Sequence, residues 1–227
     1  LGVFAADRLW LGARDQQPAG STSTGAEAAS PTTGRASIAV LPFVNMSEDE
    51  ANEHFGDGLS EELLNLLAKV PELKVAARTS SFHFKGKDST IADIAKALQV
   101  DTVLEGSVRR SGDTIRVVAQ LIAASDGTHL WSEKYDRQMS DIFVVQDEIA
   151  GHIVKALLPK LGAADKPVFA SGGGGISPEL YERFLIARRG FYDDTLESAK
   201  LAHQEFLAIA EAAPDHAPVH AWLARTW

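Results

Sequence analysis

Two turn signals divide residues 102–136 into three β-prone segments, and this pattern constrains the fold more than any other feature of the sequence. Residues 111–113 (Ser-Gly-Asp) and 125–127 (Ser-Asp-Gly) are of the types that favour tight turns. The pattern predicts an antiparallel meander with strands at 102–110, 114–123 and 128–136. Apolar residues alternate from Ile115 to Leu121, so another layer must cover one face of the meander.

The remainder of residues 37–162 supplies the other elements of an α/β domain. Short β-prone runs at 37–43 (SIAVLPF) and 73–79 (LKVAART) predict two further strands. Helical spacing of apolar residues predicts three helices, at 58–70, 90–100 and 142–157, the last with Ser140 as its N-cap. The predicted fold class is therefore α/β, a mixed five-stranded sheet with about three helices, followed by an α-helical hairpin within residues 178–227.

The segments outside these two parts have distinct compositions. Residues 1–14 place Arg8, Trp10 and Arg14 after an apolar run, which is how a chain leaves the membrane headgroup zone. The alternative is the frayed amphipathic end of a soluble protein. Residues 15–36 and 163–177 are rich in Gly, Ser, Thr, Ala and Pro, and we predict that both are flexible linkers.

Composition and motif spacing argue against several kinds of chemistry. The net charge of −9 disfavours nucleic-acid binding, and the absence of cysteine excludes disulfides and Cys-ligated zinc. The glycine run at 172–175 lacks the Lys of a phosphate loop. His216 and His220 have no third ligand nearby and are interpreted as surface histidines. We therefore predict no cofactor, no metal and no catalytic residue in this chain.

One loop carries the strongest indication of a ligand site. Cations and hydroxyl groups are concentrated directly after the second predicted strand, where they would suit an anion. The candidate residues are Arg78, Thr79, Ser80, Ser81, Lys85 and Lys87. The alternative is a loop that Phe82 and Phe84 hold against the core. The nearby acidic residues from Asp49 to Asp57 do not have calcium-loop spacing, and we interpret them as a solvated loop and a helix start.

Several motifs in residues 37–160 together resemble one bacterial domain family. These are SIAVLPFVNMSEDEANEHFGDGLSEELLNLLAKVPELKVAARTSSFHFKGK, then VDTVLEGSVRRSGDTIRVVAQLIAASDGTHLWSEKYDR, then DIFVVQDEIA. The family is the TolB amino-terminal-like or FlgO-like domain. The helical tail resembles a degenerate tetratricopeptide repeat. The residues that carry this second resemblance are Ala187, Ala202, Phe206, Pro214, Leu223 and Ala224.

The resemblance implies a place and a role for the chain. Such domains lie beyond the membrane helix of single-pass proteins whose cytoplasmic part is an adenylate cyclase or a CadC-type winged-helix regulator. It implies a non-catalytic sensory or protein-binding module in the periplasm, anchored in the inner membrane by an upstream helix, and a piece of a longer protein. A protein partner would use the exposed sheet edge and the helical tail, whereas a small anion would use the loop at 78–87. An outer-membrane accessory protein is a further alternative.

Overall fold

The computed structural model describes residues 35–48, 52–161, 175–193 and 195–226. The segment 1–14 and most of the two predicted linkers lie outside these ranges. The elements are β1 (Ser37–Val40), β2 (Val44–Asn45), α1 (Glu53–Leu67), β3 (Lys74–Val75), α2 (Arg78–Phe82), α3 (Ile91–Leu98), β4 (Thr102–Ser111), β5 (Thr114–Ala123), β6 (His129–Gln138), α4 (Ile142–Leu161), α5 (Pro178–Phe191), α6 (Leu196–Ala212) and α7 (Ala217–Arg225).

The strands form one mixed sheet, which confirms the predicted fold class. The order is β3-β1-β4-β5-β6, with β1 parallel to β3 and β4, and β4 to β6 forming the predicted antiparallel meander. The sheet has six strands because β2 also pairs with β4. β1 and β2 pair with β4 one after the other. Val40 lies opposite Leu104 and Val44 opposite Ser107, so in the interruption between these two pairs the chain of β1 and β2 contains one residue more than β4. Pro42 lies in this interruption, where no ladder N–H is required.

Helices cover both faces of the sheet. α1 and α4 pack on one face in the main core, and α3 packs on the other in a smaller apolar cluster with Ala39 and Val103. The predicted stripes of α1 and α4 are buried. They comprise Leu59, Leu63, Leu66, Leu67 and Val70, and Ile142, Val145, Ile149, Ile153 and Leu157. The alternating residues from Ile115 to Leu121 are fully buried, as the covering layer requires.

The element boundaries differ from prediction at three places. α1 begins at Glu53 because Gly56 lets the helix approach the preceding loop, where a Cβ would lie 2.5 Å from the Phe43 carbonyl oxygen. The strand predicted at 73–79 is reduced to Lys74–Val75, since Arg78–Phe82 forms the short helix α2. A 3-10 turn at Met139–Asp141 precedes α4, so Ser140 does not have the predicted N-cap position.

The tail is a helical hairpin extended by α7. Phe184, Phe206 and Trp222 form its aromatic centre, with the Phe184 and Phe206 ring centroids 5.8 Å apart. His216 is only 4% exposed and meets the Phe184 ring edge-on, so its interpretation as a surface histidine is wrong. Ile176 is also buried and the Ser177 hydroxyl accepts a hydrogen bond from the Leu180 N–H, so the packed tail starts before Pro178.

Phe43 connects three elements of the sheet domain. Its N–H donates to Ser60 Oγ at 2.8 Å, and that hydroxyl donates to the Gly56 carbonyl oxygen at 2.8 Å. Its ring covers Gly106 of β4, where a Cβ would lie 2.6 Å from the ring. The side chain is fully buried. The loop after β1, α1 and β4 are therefore fixed to one another at a single aromatic residue.

We predict that Phe43→Ala lowers the free energy of unfolding by about 3–5 kcal/mol, because it leaves a cavity between α1 and β4. Urea denaturation followed by circular dichroism measures the change. The neighbouring Val44 is 58% exposed, and Val44→Ala is the matched control, with an expected loss below about 1 kcal/mol. Equal losses in the two variants would contradict the role assigned to Phe43.

Candidate functional site

A row of carboxylates along α1 forms the acidic side of the most highly charged cluster in the described residues. Glu53, Asp57 and Glu61 follow one another at four-residue spacing, which places them on one side of the helix, and Glu62 is adjacent. Asp57 and Glu61 are 8% and 7% exposed. Carboxylates with so little access to water need cationic or hydrogen-bonding partners.

The loop after β3 supplies two of these cations. Arg78 Nε donates to Glu61 Oε2 at 2.6 Å, and Lys85 Nζ lies 2.6 Å from Glu53 Oε1 and 2.5 Å from Asp57 Oδ1. The Arg78 guanidinium also lies between two aromatic rings, 4.0 Å from the centroid of Phe82. The second ring is Tyr192, from the end of α5, at 3.9 Å. Arg78 therefore contacts both α1 and the tail.

α5 supplies the other two cations. Arg188 is 3% exposed; its Nη1 donates to Glu62 Oε1 at 2.9 Å, and its Nε lies 3.6 Å from Glu61 Oε2. Arg189 Nη1 donates to Asp57 Oδ2 at 2.8 Å. Four carboxylates thus meet four cations, and we call this cluster the charged junction. Its members are Glu53, Asp57, Glu61, Glu62, Arg78, Lys85, Arg188 and Arg189.

Close packing accompanies these ion pairs. A Cβ at Gly58 would lie 2.6 Å from Leu185 Cδ2, so the absence of a side chain on α1 lets α5 approach. The Tyr181 hydroxyl accepts a hydrogen bond from Gln146 Nε2 of α4 at 2.9 Å. Burial and the nearby Glu62 raise the pKa of Tyr181 well above its usual range, so this phenol stays neutral. Arg110 of β4 also pairs with Glu182 of α5.

The structure does not bring the six residues of the predicted anion loop into one site. Arg78 and Lys85 both pair with carboxylates of the charged junction, whereas Lys87 lies outside it, in a separate cleft that Lys85 also lines. Thr79 and Ser80 are exposed on α2. Ser81 is fully buried, and its hydroxyl has no hydrogen-bond partner among the described residues. Anion binding by this set stays a prediction.

That cleft lies at a topological switch point. From β1 the chain passes through α1 to β3 on one side, and from β3 through α3 to β4 on the other, with the two helices on opposite faces. In open α/β sheets such reversals leave a crevice at the carboxyl ends of the strands. The cleft measures about 600 Å³ and is lined by the loop after β1, the loop before α3 and the middle of β4. Its walls are mixed, with apolar side chains beside two cations, Lys85 and Lys87, and two carboxylates, Glu53 and Glu105.

Two other kinds of feature are absent from the described ranges. They contain no group of three or more His, Asp or Glu side chains placed to hold a metal ion. No helix there combines the length and the apolar character that a membrane crossing requires.

Sequence reasoning missed the charged junction. The sequence interpretation makes the acids from Asp49 to Asp57 a solvated loop and a helix start, and it assigns them no partner at 188–189. The four-residue spacing of the acids was a detectable signal, because it places like charges side by side on one helix, which is unfavourable without cations nearby. The sequence could not indicate which cations approach, since Glu62 and Arg188 lie 126 positions apart.

We predict that Arg188→Met lowers the free energy of unfolding by about 2 kcal/mol, because it leaves Glu62, which is partly buried, without its cation. Urea denaturation monitored by circular dichroism checks this value. Arg189 makes the same type of contact but its side chain is 42% exposed. Arg189→Met is thus the control, with an expected loss below about 1 kcal/mol. If both variants were as stable as the wild-type chain, the junction would not stabilise the protein.

The solved structures that match this chain do so at low similarity. TolB from Acinetobacter baumannii is 19% identical with a TM-score of 0.41, over 55% of this chain and 28% of its own. A lipoprotein from Neisseria meningitidis is 21% identical with a TM-score of 0.39, over 57% of this chain and 98% of its own. The LpoB C-terminal domain from Salmonella enterica is 18% identical with a TM-score of 0.38, over 48% and 86%.

Sequence comparison gives stronger relationships. A Rhizobium meliloti (strain 1021) protein named "Putative adenylate cyclase 3" is 43% identical over 187 residues, which cover 82% of this chain. This chain spans about a third of that relative, 32% of its length. The family described as HilA/YgeH-like transcriptional regulator, second domain, matches residues 34–152, which include the whole sheet and most of α4. The chain therefore belongs to the family of HilA/YgeH-like regulator second domains.

Proposed function

We propose that this chain is a non-catalytic accessory module of a bacterial signalling protein, and that it works by binding another protein. The observation that carries the proposal is the apolar surface of α6. Leu196 is 73% exposed and Leu207 is 42% exposed. They lie about three helical turns apart, so they share one face of the helix. Large apolar side chains repeated on one exposed face are typical of a protein-binding surface.

The comparisons support the signalling part of this proposal. The family match is to a domain of transcriptional regulators, and the Rhizobium relative is named as an adenylate cyclase. We propose that the parent protein carries a cyclase or a winged-helix domain upstream, joined to this TolB-like module through a membrane helix. The module would then lie in the periplasm, and its tail would be a degenerate tetratricopeptide repeat.

The state of the charged side chains supports a non-catalytic role. In the charged junction every cation already contacts a carboxylate at 2.5–2.9 Å, so these groups hold helices together. A catalytic acid or base needs a proton-accepting or proton-donating position open to a substrate. Charged groups that line a cleft are likewise paired with one another, Lys85 with Glu53 and Arg110 with Glu182.

A small anionic ligand is the second candidate, and the switch-point cleft favours it. Its volume of about 600 Å³ falls within the range of small-molecule sites. Lys87 is the cation best placed to bind such a ligand, because it is exposed and its ammonium group pairs with no carboxylate of the described residues; its Nζ lies 2.6 Å from His83 Nε2. Lys85 would first have to leave two carboxylates.

We predict that the purified chain leaves ATP intact in the presence of magnesium or manganese. Chromatographic detection of cyclic AMP, pyrophosphate and ADP checks this result. The described residues include no phosphate loop and no metal-binding carboxylate group. Turnover that co-purifies with the chain through successive columns and is lost in a point variant would overturn the non-catalytic assignment.

A photo-crosslinking amino acid at Leu196 or Leu207 should give a discrete cross-linked protein product in the bacterium that makes this chain. Immunoblotting of the irradiated cells measures the product. The matched control is the same amino acid at Val144, which is 54% exposed but lies on α4. The opposite result would be no cross-linked product at α6, together with binding of a small anion that weakens as salt is added and is lost in Lys87→Ala. That result would favour the second candidate.

A further inference from the structure

The outer edge of the sheet consists of one long, exposed strand. β6 spans His129–Gln138 and is the last strand of the sheet among the described residues. The sheet's other edge is formed by β3 and β2, each of which has only two residues. An exposed edge strand of this length presents a row of backbone donors and acceptors that another strand can use.

The register of β6 against β5 identifies the residues that present these groups. The Met139 N–H donates to the Asp113 carbonyl oxygen, and Asp113 lies opposite Met139 in the continued register. Residues of an antiparallel ladder alternate between bonding inward and pointing outward. Odd-numbered residues from 133 to 139 therefore bond to β5. The outward N–H and C=O groups belong to Ser132, Lys134, Asp136 and Gln138.

The side chains next to these groups are self-complementary. If a second copy of β6 pairs antiparallel about a two-fold axis through Tyr135, Lys134 lies opposite Asp136 of the other copy. In the same register, Glu133 lies opposite Arg137. Each pair occurs twice because of the two-fold symmetry. All four side chains are accessible, with exposed fractions between 41% and 57%.

The neighbouring registers are unfavourable. Residues whose backbone N–H and C=O groups point outward must lie opposite residues of the same kind in the second copy. The next possible registers are therefore those in which the two-fold axis has moved by one residue along β6. An axis through Lys134 places the two Lys134 ammonium groups together, and an axis through Asp136 places the two Asp136 carboxylates together. An axis through Glu133 or Arg137 likewise juxtaposes like charges. Like charges directly opposite each other destabilise a pair of strands.

We propose that β6 is a self-association edge, at which two copies of this chain form one continuous sheet about an axis through Tyr135. The existing ion-pair partners of the four side chains are all accessible, including Glu148 and His152 of α4, which lie 3.4 Å from Arg137 and 3.2 Å from Glu133. Asp136 bonds to Arg116 at 2.5 Å and lies 3.2 Å from Lys134, both at exposed positions where partners exchange easily. The Asp136 carbonyl oxygen accepts from Arg137 Nη1 at 3.1 Å and retains a second lone pair.

A charged edge also has a simpler explanation, since lysine on an edge strand commonly prevents association. That explanation requires repulsion between copies and predicts no preferred order of charges. Here the order Glu-Lys-Tyr-Asp-Arg is antisymmetric in charge about its central residue. This order gives attraction in one register and repulsion in the adjacent ones, as a specific interface requires.

Analytical ultracentrifugation of the full chain over a range of concentrations tests the proposal. We expect a reversible monomer–dimer equilibrium, because one strand from each copy buries a small interface. Lys134→Glu and Asp136→Lys should each weaken dimerisation by about tenfold or more, since each places like charges opposite one another twice. Lys200→Glu makes the same charge change on an exposed residue of α6 and should leave the equilibrium unchanged.

Mixing the Lys134→Glu and Asp136→Lys variants provides the decisive measurement. In a mixed dimer the carboxylate introduced at position 134 of one copy faces the ammonium introduced at position 136 of the other. The unchanged Asp136 and Lys134 also face each other, so the mixture should recover dimerisation to near the wild-type level. Recovery also shows that both variants are folded.

Two outcomes would overturn the proposal: a wild-type chain that stays monomeric at all concentrations, or a mixture that dimerises no better than its components. The dimerisation measured here does not depend on whether another protein binds α6. A failure of the proposed function and a failure of the self-association edge can therefore be told apart.

Discussion

The position of the tail depends on one buried guanidinium. Arg188 has almost no contact with water, so its charge is tolerated only where Glu61, Glu62 and the Gly58 carbonyl oxygen surround it. These groups have the required positions only if α5 approaches α1 at Gly58, where there is no side chain. The ionic requirement of Arg188 and the packing at Gly58 therefore fix the same docking of α5.

α1 is consequently the shared element of both parts of the molecule. Its apolar stripe, including Leu59, Leu63 and Leu67, faces the sheet. Its acidic row faces α2 and α5. Phe43 fixes the same helix to β4 through Ser60. Changes in either part of the protein are thus transmitted to the other through direct contacts of one rigid helix.

Local patterns predicted the elements that depend on local chemistry. Alternation from Ile115 to Leu121 identified the central strand and its buried face, and helical spacing identified the stripes of α1 and α4. The short strand β2 and the helix α2 were missed because each is specified by packing: β2 by its pairing with β4, and α2 by the contacts of Arg78 and Ser81. The residues of the predicted anion loop do follow β3. However, Arg78 lies on the short helix α2 and its side chain contacts α1, away from Lys87, and no rule of residue spacing could predict this separation.

The shared role of α1 has a thermodynamic consequence. The free energy that folds this helix is divided between two neighbours, so docking of the tail and folding of the sheet domain are linked equilibria. A molecule that binds the tail only in its docked form must therefore raise the melting temperature of the sheet domain as well, by an amount that grows with the logarithm of its concentration above Kd. Binding at α6 would then be communicated as increased rigidity of the sheet, without any change in the mean positions of its strands.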